Sequence, residues 1–395
     1  MYRIFGRFGE IKWIHLDFVM RINHLTLKNY RNYDFLDIDL SPGVNIFVGD
    51  NAQGKSNILE SIFVLALTKS YINIKDQNLM KDGSDFSVVR GLCSSKDGNF
   101  QLDVLFGKCG KKVKHNSCEV KKYSEYISIL KVLIFSPYNV NFVKDGPNSR
   151  RKAINVVISQ SSEMYVRALQ RYNALLKKRN QYLKNAALSF DYNKYYFDIL
   201  NDSYCSLAVD IAFMRNEFLK KINQYLSDVY FEITGYKNLK LMYICNFKMK
   251  EDKVQTIRDF KNLLIDNFDR EKKYKITLFG IHRDDFCFLL DGKDLSIYGS
   301  QGQIRAAMLA LKLAEVLIFK ELDGDNPILL LDDVFSELDI EKRNRIIKYI
   351  LNDVQTIITT TDIDLIDSDL VSKSKIFNVC NGTVVTDGKK VCKNE

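Results

Sequence analysis

Val44-Asn45-Ile46-Phe47-Val48-Gly49-Asp50-Asn51-Ala52-Gln53-Gly54-Lys55-Ser56 is a short apolar strand running straight into a glycine-bounded loop. The loop satisfies G-x-x-x-x-G-K-S/T at every position, the pattern that wraps phosphate groups. Gly49 and Gly54 let the backbone curl, so that the N–H groups of the loop, from Asp50 through Asn51, Ala52 and Gln53, converge on phosphate oxygens. Lys55 supplies a point charge for the β- and γ-phosphates, and the Ser56 hydroxyl is a candidate Mg2+ ligand. From Asn57 to Leu67 apolar residues fall at 58, 59, 62, 63, 65 and 66, which predicts a helix buried on most of its surface. Its N-terminus would aim a positive dipole at the bound phosphates, so the stretch as a whole reads as an ATP site.

Two later stretches supply what such a loop needs. Pro327-Ile328-Leu329-Leu330-Leu331-Asp332-Asp333 predicts a buried strand ending in two carboxylates. Asp332 is placed to hold Mg2+, and Asp333 to polarise an attacking water. Read alone, the two acids would equally well cap the next turn. Ser336-Glu337-Leu338-Asp339 follows as a short acidic turn. Upstream, Ser296-Ile297-Tyr298-Gly299-Ser300-Gln301-Gly302-Gln303 opens a helical run to about Leu322, with apolar residues at 304, 307, 308, 311, 314, 317 and 318. Ser300 is its natural capping residue. A Ser/Gly/Gln loop at a helix start is a second anion-binding design with nothing local to bind.

The chain has 395 residues, which suggests about two domains. Hydrophobic residues make up 46%, enough for a packed core and too many for a disordered chain. Apolar runs fall short of the roughly 18 residues a membrane helix needs, and no signal peptide opens the chain. The eight cysteines are scattered without a C-x-x-C pair, which argues against a zinc site or a disulfide framework and suits the cytoplasm. His15, His24 and His115 show no metal spacing. Residues 1–19 mix aromatic and basic residues without a period and read as a doubtful N-terminal extension. At Met20 a strand-like alternation begins.

Net charge is +9. Residues 141–275 carry 25 basic and 15 acidic side chains, a net of +10, so the excess belongs to this helical stretch. Two nested lobes are expected: an α/β core from 20–140 plus 276–395, and an inserted, mainly helical lobe at 141–275. Arg167, Arg171 and Lys178 share a helical face beside Lys177, Arg179 and Lys184, and Arg150-Arg151-Lys152 stand at a helix start. For any single residue a solvated face is the commoner reading. The segregation of the charge favours duplex DNA backbone as the partner.

The order of these parts resembles the ABC-type ATPase heads, including the SMC group. The resemblance implies a P-loop ATPase head in which the loop Gly299–Gln303 meets the γ-phosphate held by a second copy. Ser300 would then act in trans, and Asp339 would lie at the same interface. The finer text is similar to the RecF family of bacterial recombination mediators. It is carried by Leu27-Lys28-Asn29-Tyr30-Arg31-Asn32-Tyr33, Leu67-Thr68-Lys69-Ser70, Phe135-Ser136-Pro137, Arg179-Asn180, Gly280-Ile281-His282-Arg283-Asp284-Asp285, the S-Q-G-Q-x-R block and L-L-L-D-D-V-F-S-E-L-D. Membership would imply an ATP-dependent homodimer on duplex or gapped DNA, acting in replication and recombinational repair. It would assist RecA loading, with RecR and RecO as partners and weak, DNA-stimulated ATP turnover.

Two assignments stay open. Arg31 and Asn32 either reach the nucleotide or form exposed tips of a turn. His282-Arg283-Asp284-Asp285 either serves the nucleotide or forms a structural ion-pair cluster. Two rival functions are weaker. The separation of 243 positions from Ser56 to Gly299 is too short for the paired long coiled coils of a chromosome-organising SMC protein, and no heptad repeat is sustained. The subunit of a transporter would normally carry a switch histidine where Thr361 stands. Ser136-Pro137-Tyr138-Asn139 also lacks the acidic pair expected of a γ-phosphate-sensing loop. Asp333 is one methylene shorter than the glutamate usual in transporter ATPases. With Thr361, it predicts slow hydrolysis. A single-turnover assay should give a rate well below that of fast transporter ATPases, and a matching rate would refute the switch-like reading.

Overall fold

The alternation that begins at Met20 builds β1 (Arg21–Tyr30), which turns through Arg31 and Asn32 into β2 (Tyr33–Asp39). Ile22, Leu25, Leu27 and Tyr30 are buried along one face. With β4 (Phe86–Ser95), β5 (Gly98–Gly107), β6 (Gly110–His115) and β7 (Cys118–Glu119), these strands form an antiparallel sheet in the order β2-β1-β4-β5-β6-β7. The computed structural model describes residues 20–72, 74–108, 110–136, 142–188, 193–334 and 354–386. The 1–19 segment, the Pro137-Tyr138-Asn139 stretch and the Ser336–Asp339 turn lie outside the described residues.

The second sheet has the order β15-β14-β3-β13-β12-β8. It comprises β3 (Val44–Val48), β8 (Val132–Phe135), β12 (Ile328–Asp332), β13 (Thr356–Thr360) and β14 (Lys375–Cys380), all parallel, with β15 (Thr383–Thr386) antiparallel at one edge. Such strands read as unbroken apolar runs because both faces are covered. The period of two sends neighbouring residues into different cores. Phe47, Val132, Ile134, Ile328, Leu330, Ile357 and Phe377 face a core shared with the antiparallel sheet and with α1 (Lys55–Leu67). Ile46, Leu133, Phe135, Leu329, Leu331 and Ile358 face the core formed with the helices. The α1 helix starts two residues earlier than expected and is buried over most of its length.

The helical part comprises α2 (Pro147–Ser161), α3 (Glu163–Leu188), α4 (Lys194–Thr234) and α5 (Lys253–Asp266). The 41-residue α4 is about 60 Å long at 1.5 Å per residue. Asn193 caps its start and Gly235, with φ of 79°, ends it. Its buried face packs against α6 (Gln301–Asp323), which lies on the parallel sheet, so one apolar core runs from that sheet into the helices. The boundary expected at residue 275 falls inside this continuity. β9 (Leu239–Ile244), within the insert, pairs antiparallel with β10 (Asp285–Leu290) beyond it, and β10 pairs with β11 (Lys293–Asp294). Charge counting could not see that ladder.

Buried ion pairs reinforce it. Arg179 Nη2 donates to Glu271 Oε2 at 2.6 Å with both side chains at 0% exposure, and its other nitrogens donate to Asn201 and Thr277. Arg215 Nη1 donates to Asp284 Oδ2 at 2.8 Å, also fully inside. Among the described residues Cys93, Cys118, Cys205, Cys245 and Cys287 are free thiols, while Cys380 is disulfide-bonded. No described helix is long and apolar enough to cross a membrane. Arg179→Met leaves Glu271 buried and uncompensated. It should cost about 3–5 kcal/mol in urea unfolding, and replacing Glu271 with Leu as well should recover much of that loss.

Candidate functional site

The phosphate loop leaves β3 with two glycines that nothing else replaces. A Cβ on Gly49 would sit 2.3 Å from the Val379 carbonyl oxygen. Gly54 has φ of 112°, and a Cβ there would meet Asn32 Nδ2 at 2.4 Å and the Tyr33 hydroxyl at 2.9 Å. The loop is braced from behind by two turns. Asn32 Nδ2 donates to Gln53 O (3.0 Å), Asn57 Nδ2 donates to Asn32 Oδ1 (2.8 Å), and the Tyr33 hydroxyl donates to Gly54 O (3.1 Å). From the β14–β15 turn, Asn381 N donates to Gln53 Oε1 and Gly382 N to Gln53 O. Asn32 therefore acts on the loop's shape.

Lys55 Nζ donates to the carbonyls of Gly49 (2.6 Å) and Asp50 (2.7 Å). Burial pushes its ammonium below the usual lysine range, and Asp333, Asp332 and Asp50 pull it back. Ser56 Oγ donates to Asp332 Oδ1 at 2.8 Å. The parallel register sets Thr359 beside Asp332, so that its Oγ1 also donates to Oδ1 at 2.8 Å. The Tyr71 hydroxyl donates to Oδ2 at 3.0 Å. Asp333 adopts φ of 50°, and its N–H donates to Thr359 O and Oγ1. A non-glycine residue held at positive φ stores strain, as functional sites often do.

A hydroxyl beside a carboxylate is a hard oxygen donor set, which suits Mg2+. The concave loop, with no room for a Cβ at either glycine, fits a polyphosphate. The expected residues 49–56, 332 and 333 are thus brought together. Thr359 and Tyr71 were missed, because a parallel register and a loop doubling back after α1 have no local signature.

Arg31 is a correction. Its Nε and Nη2 donate to Glu60 (2.7 and 2.9 Å) and its Nη1 to Asn78 O, so its guanidinium is engaged by a fully buried carboxylate. Of the Arg31–Asn32 pair, Asn32 is the one bonded to the phosphate loop. The His282–Asp285 block is the ion-pair cluster of the structural reading. Asp284 accepts from Arg215, Tyr243 and Asn246 N, and Asp285 accepts from Arg150. Burial pushes His282 down to about 4, leaving it neutral, with Nδ1 2.8 Å from the Tyr172 hydroxyl and Nε2 3.1 Å from Thr277 O.

Ser300 begins α6 in a full capping box: its Oγ accepts from Gln303 N (3.2 Å), and its N–H donates to Gln303 Oε1 (2.9 Å). Ser300, Gln301 and Gly302 are exposed, next to Ile297 and Tyr298 at 71% and 70% exposure. A cap and an exposed loop coexist here.

The basic candidates divide sharply. Arg179 lies seven residues after Tyr172, on the buried face of α3, and cannot meet a phosphate. Arg150 is bidentate on Asp285 and Arg151 donates to Asp284 O, so both brace the fold. Arg167 is exposed but pairs with Glu163 and Glu125. Arg171, Lys177 and Lys178 are exposed on the outer face of α3. Net charge ignored which arginines have buried acidic partners.

The family model for the RecF/RecN/SMC N terminal domain matches residues 21–383. The DNA replication and repair protein RecF of Staphylococcus aureus is 37% identical over 369 residues, covering 93% of this chain and 100% of the relative. A solved structure of the recombination mediator protein RecF with ATP, from the RecFOR pathway, superposes with a TM-score of 0.88 at 32% identity, covering 95% of this chain and 99% of that one. The Smc head domain of Pyrococcus furiosus, bound to the C-terminal domain of ScpA, superposes at 0.53 with 16% identity, covering 93% of this chain and 97% of that one, and so shares the fold. Gly54→Ala forces a methyl group into Asn32 at a backbone angle alanine avoids. Titration with a fluorescent ATP analogue should show binding abolished, while circular dichroism keeps the helical signal.

Proposed function

The chain belongs to the RecF family of DNA replication and repair proteins, and from that premise we propose how its site works in an ATP-dependent step of recombinational repair. The observation that carries the reading is the meeting of Lys55, Ser56, Asp332 and Asp333 at the C-terminal ends of parallel strands, beside a loop whose two glycines leave no room for a Cβ. ATP lies in that loop, as the recombination mediator RecF holds ATP in its solved structure. The backbone N–H groups of residues 50–53 and the Lys55 ammonium neutralise the phosphates, and to do so Lys55 exchanges the two carbonyls for phosphate oxygens. Ser56 and Asp332 hold Mg2+, which shields the phosphate charge when bound. Asp333 orients the attacking water, and its short side chain makes turnover slow.

The Ser300 loop supports assembly. Ser300, Gln301 and Gly302 are exposed at the start of α6, and a second copy completes the site by presenting its Ser300 to the γ-phosphate. Binding energy is then stored in the dimer, and hydrolysis releases it. Exposed Arg171, Lys177 and Lys178 give each copy a basic strip, and pairing two copies lines a cleft for duplex or gapped DNA. Positive charge without base-reading geometry implies binding that is indifferent to sequence. RecR and RecO, which share the pathway with the solved relative, and RecA downstream are the protein partners this reading assigns.

Gel shift of a gapped duplex, with and without ATP, tests the whole scheme: ATP should tighten binding and shift the protein to a dimer in gel filtration. Lys55→Ala should lose both responses, and an unchanged shift would sink the proposal. Replacing Arg171, Lys177 and Lys178 together by glutamate should weaken binding and flatten the plot of log affinity against log salt by roughly one unit per lost phosphate contact. Salt-insensitive binding would exclude a backbone-contact interface.

A further inference from the structure

Asp332 is almost fully buried, and among the described residues its carboxylate accepts from three neutral hydroxyls. Two of them, Ser56 and Thr359, share Oδ1. Tyr71 takes Oδ2. A carboxylate at the end of an aspartate rotates over a broad, two-fold well, so something must choose which oxygen faces Ser56. The two hydroxyls on Oδ1 would tolerate a swing of Oδ2 about that anchor. Among the described residues the Tyr71 phenol fixes the second oxygen, and with it the plane in which the remaining lone pairs point.

The position of Tyr71 is itself over-determined. Thr68 ends α1 with φ of 60°, and its N–H donates to Val64 O, which turns the chain back on the helix. Ser70 Oγ donates to Glu60 Oε1 at 2.5 Å and accepts from Ile72 N, holding the next residue on either side. The Tyr71 ring then meets Phe63 edge-on at 5.6 Å. Glu60, the anchor of this loop, is also the carboxylate that binds Arg31 from the β1–β2 turn, and that turn braces the phosphate loop through Asn32. One buried acid thus ties the turn behind the phosphate loop to the residue that orients the Mg2+-side carboxylate.

We propose that Tyr71 is a positioning residue for the metal-nucleotide complex, its hydroxyl holding Asp332 Oδ2 so that the Ser56–Asp332 pair presents a fixed oxygen set to the divalent ion. The inference rests on the nucleotide reading above. Tyr71 touches neither phosphate nor water in this role; it acts through Asp332. Partners that orient metal ligands in this way typically contribute about 10–100-fold to metal affinity.

The test is Tyr71→Phe, which keeps the ring against Phe63 and removes only the hydroxyl. Mn2+ binding in the presence of ATP, followed by electron paramagnetic resonance, should weaken about tenfold or more. Binding of a fluorescent ATP analogue in EDTA should stay within about twofold of the unaltered protein, because the phosphate loop itself is intact. Unchanged Mn2+ affinity overturns the proposal. So does a parallel loss of metal-bound and metal-free nucleotide binding, which would mark Tyr71 as a merely structural side chain. Tyr71→Ala, which also removes the ring, should lower the melting temperature as well as Mn2+ affinity, whereas Tyr71→Phe should lower Mn2+ affinity with little thermal change. Failure of the underlying nucleotide reading is separable, since then the unaltered protein would bind no ATP analogue at all.

Discussion

A parallel sheet whose strands are apolar on both faces has to be covered twice, and that requirement organises the molecule. One face is closed by α1 and the antiparallel sheet, the other by α6 and the long helices behind it. Because β3, β12 and β13 are parallel, their C-terminal ends emerge at one edge, and the chemistry collects there. β13 lies between the strand that leads to the phosphate loop and the strand that carries the acids. Its Thr359 therefore becomes a bridge, bonding the side chain of Asp332 and the backbone of Asp333. The same coverage explains why α1 can be buried nearly all round and still offer its N-terminus to the phosphates.

Charge inside the protein follows a different rule from charge outside it. Arg179–Glu271, Arg215–Asp284 and Arg31–Glu60 each place a guanidinium on a fully buried carboxylate and surround the pair with further hydrogen bonds. Such pairs add little net stability over apolar packing, but breaking one is costly. Their value here is registration. The first ties α3 to the short helix Phe268–Tyr274, the second ties α4 to Asp284 at the start of β10, and the third locks the β1–β2 turn to α1. The helical region is therefore tied to the parallel sheet through one continuous apolar core.

The legibility of the chain varied with the range of the interaction. Gly49, Gly54, Lys55 and Ser56 were readable because a phosphate loop is a local device, in which residue types and spacing are set by backbone geometry. Asp332 and Asp333 were readable for a similar reason, as polar residues ending an apolar run. The basic helix was readable only in bulk: Arg171, Lys177 and Lys178 point outward, while Arg179, one residue further along, points into the core and meets Glu271. Tyr71 and Thr359 left no mark, since each contributes one hydroxyl to a residue more than twenty positions away. The β9–β10 ladder was hidden for the same reason, and with it the true reach of the helical part.

The sequence by itself determined the phosphate loop, the acids opposite it and the family they spell out. These follow from short-range periodicity and from residue types at fixed spacing. Only the tertiary structure decided which arginines were ion-paired in the interior and which remained on the surface, what braces the loop from behind, and which hydroxyls orient Asp332. Those outcomes depend on strand register and on the burial of long side chains, where segments far apart in the chain are brought within hydrogen-bonding distance by the need to cover one sheet on both faces.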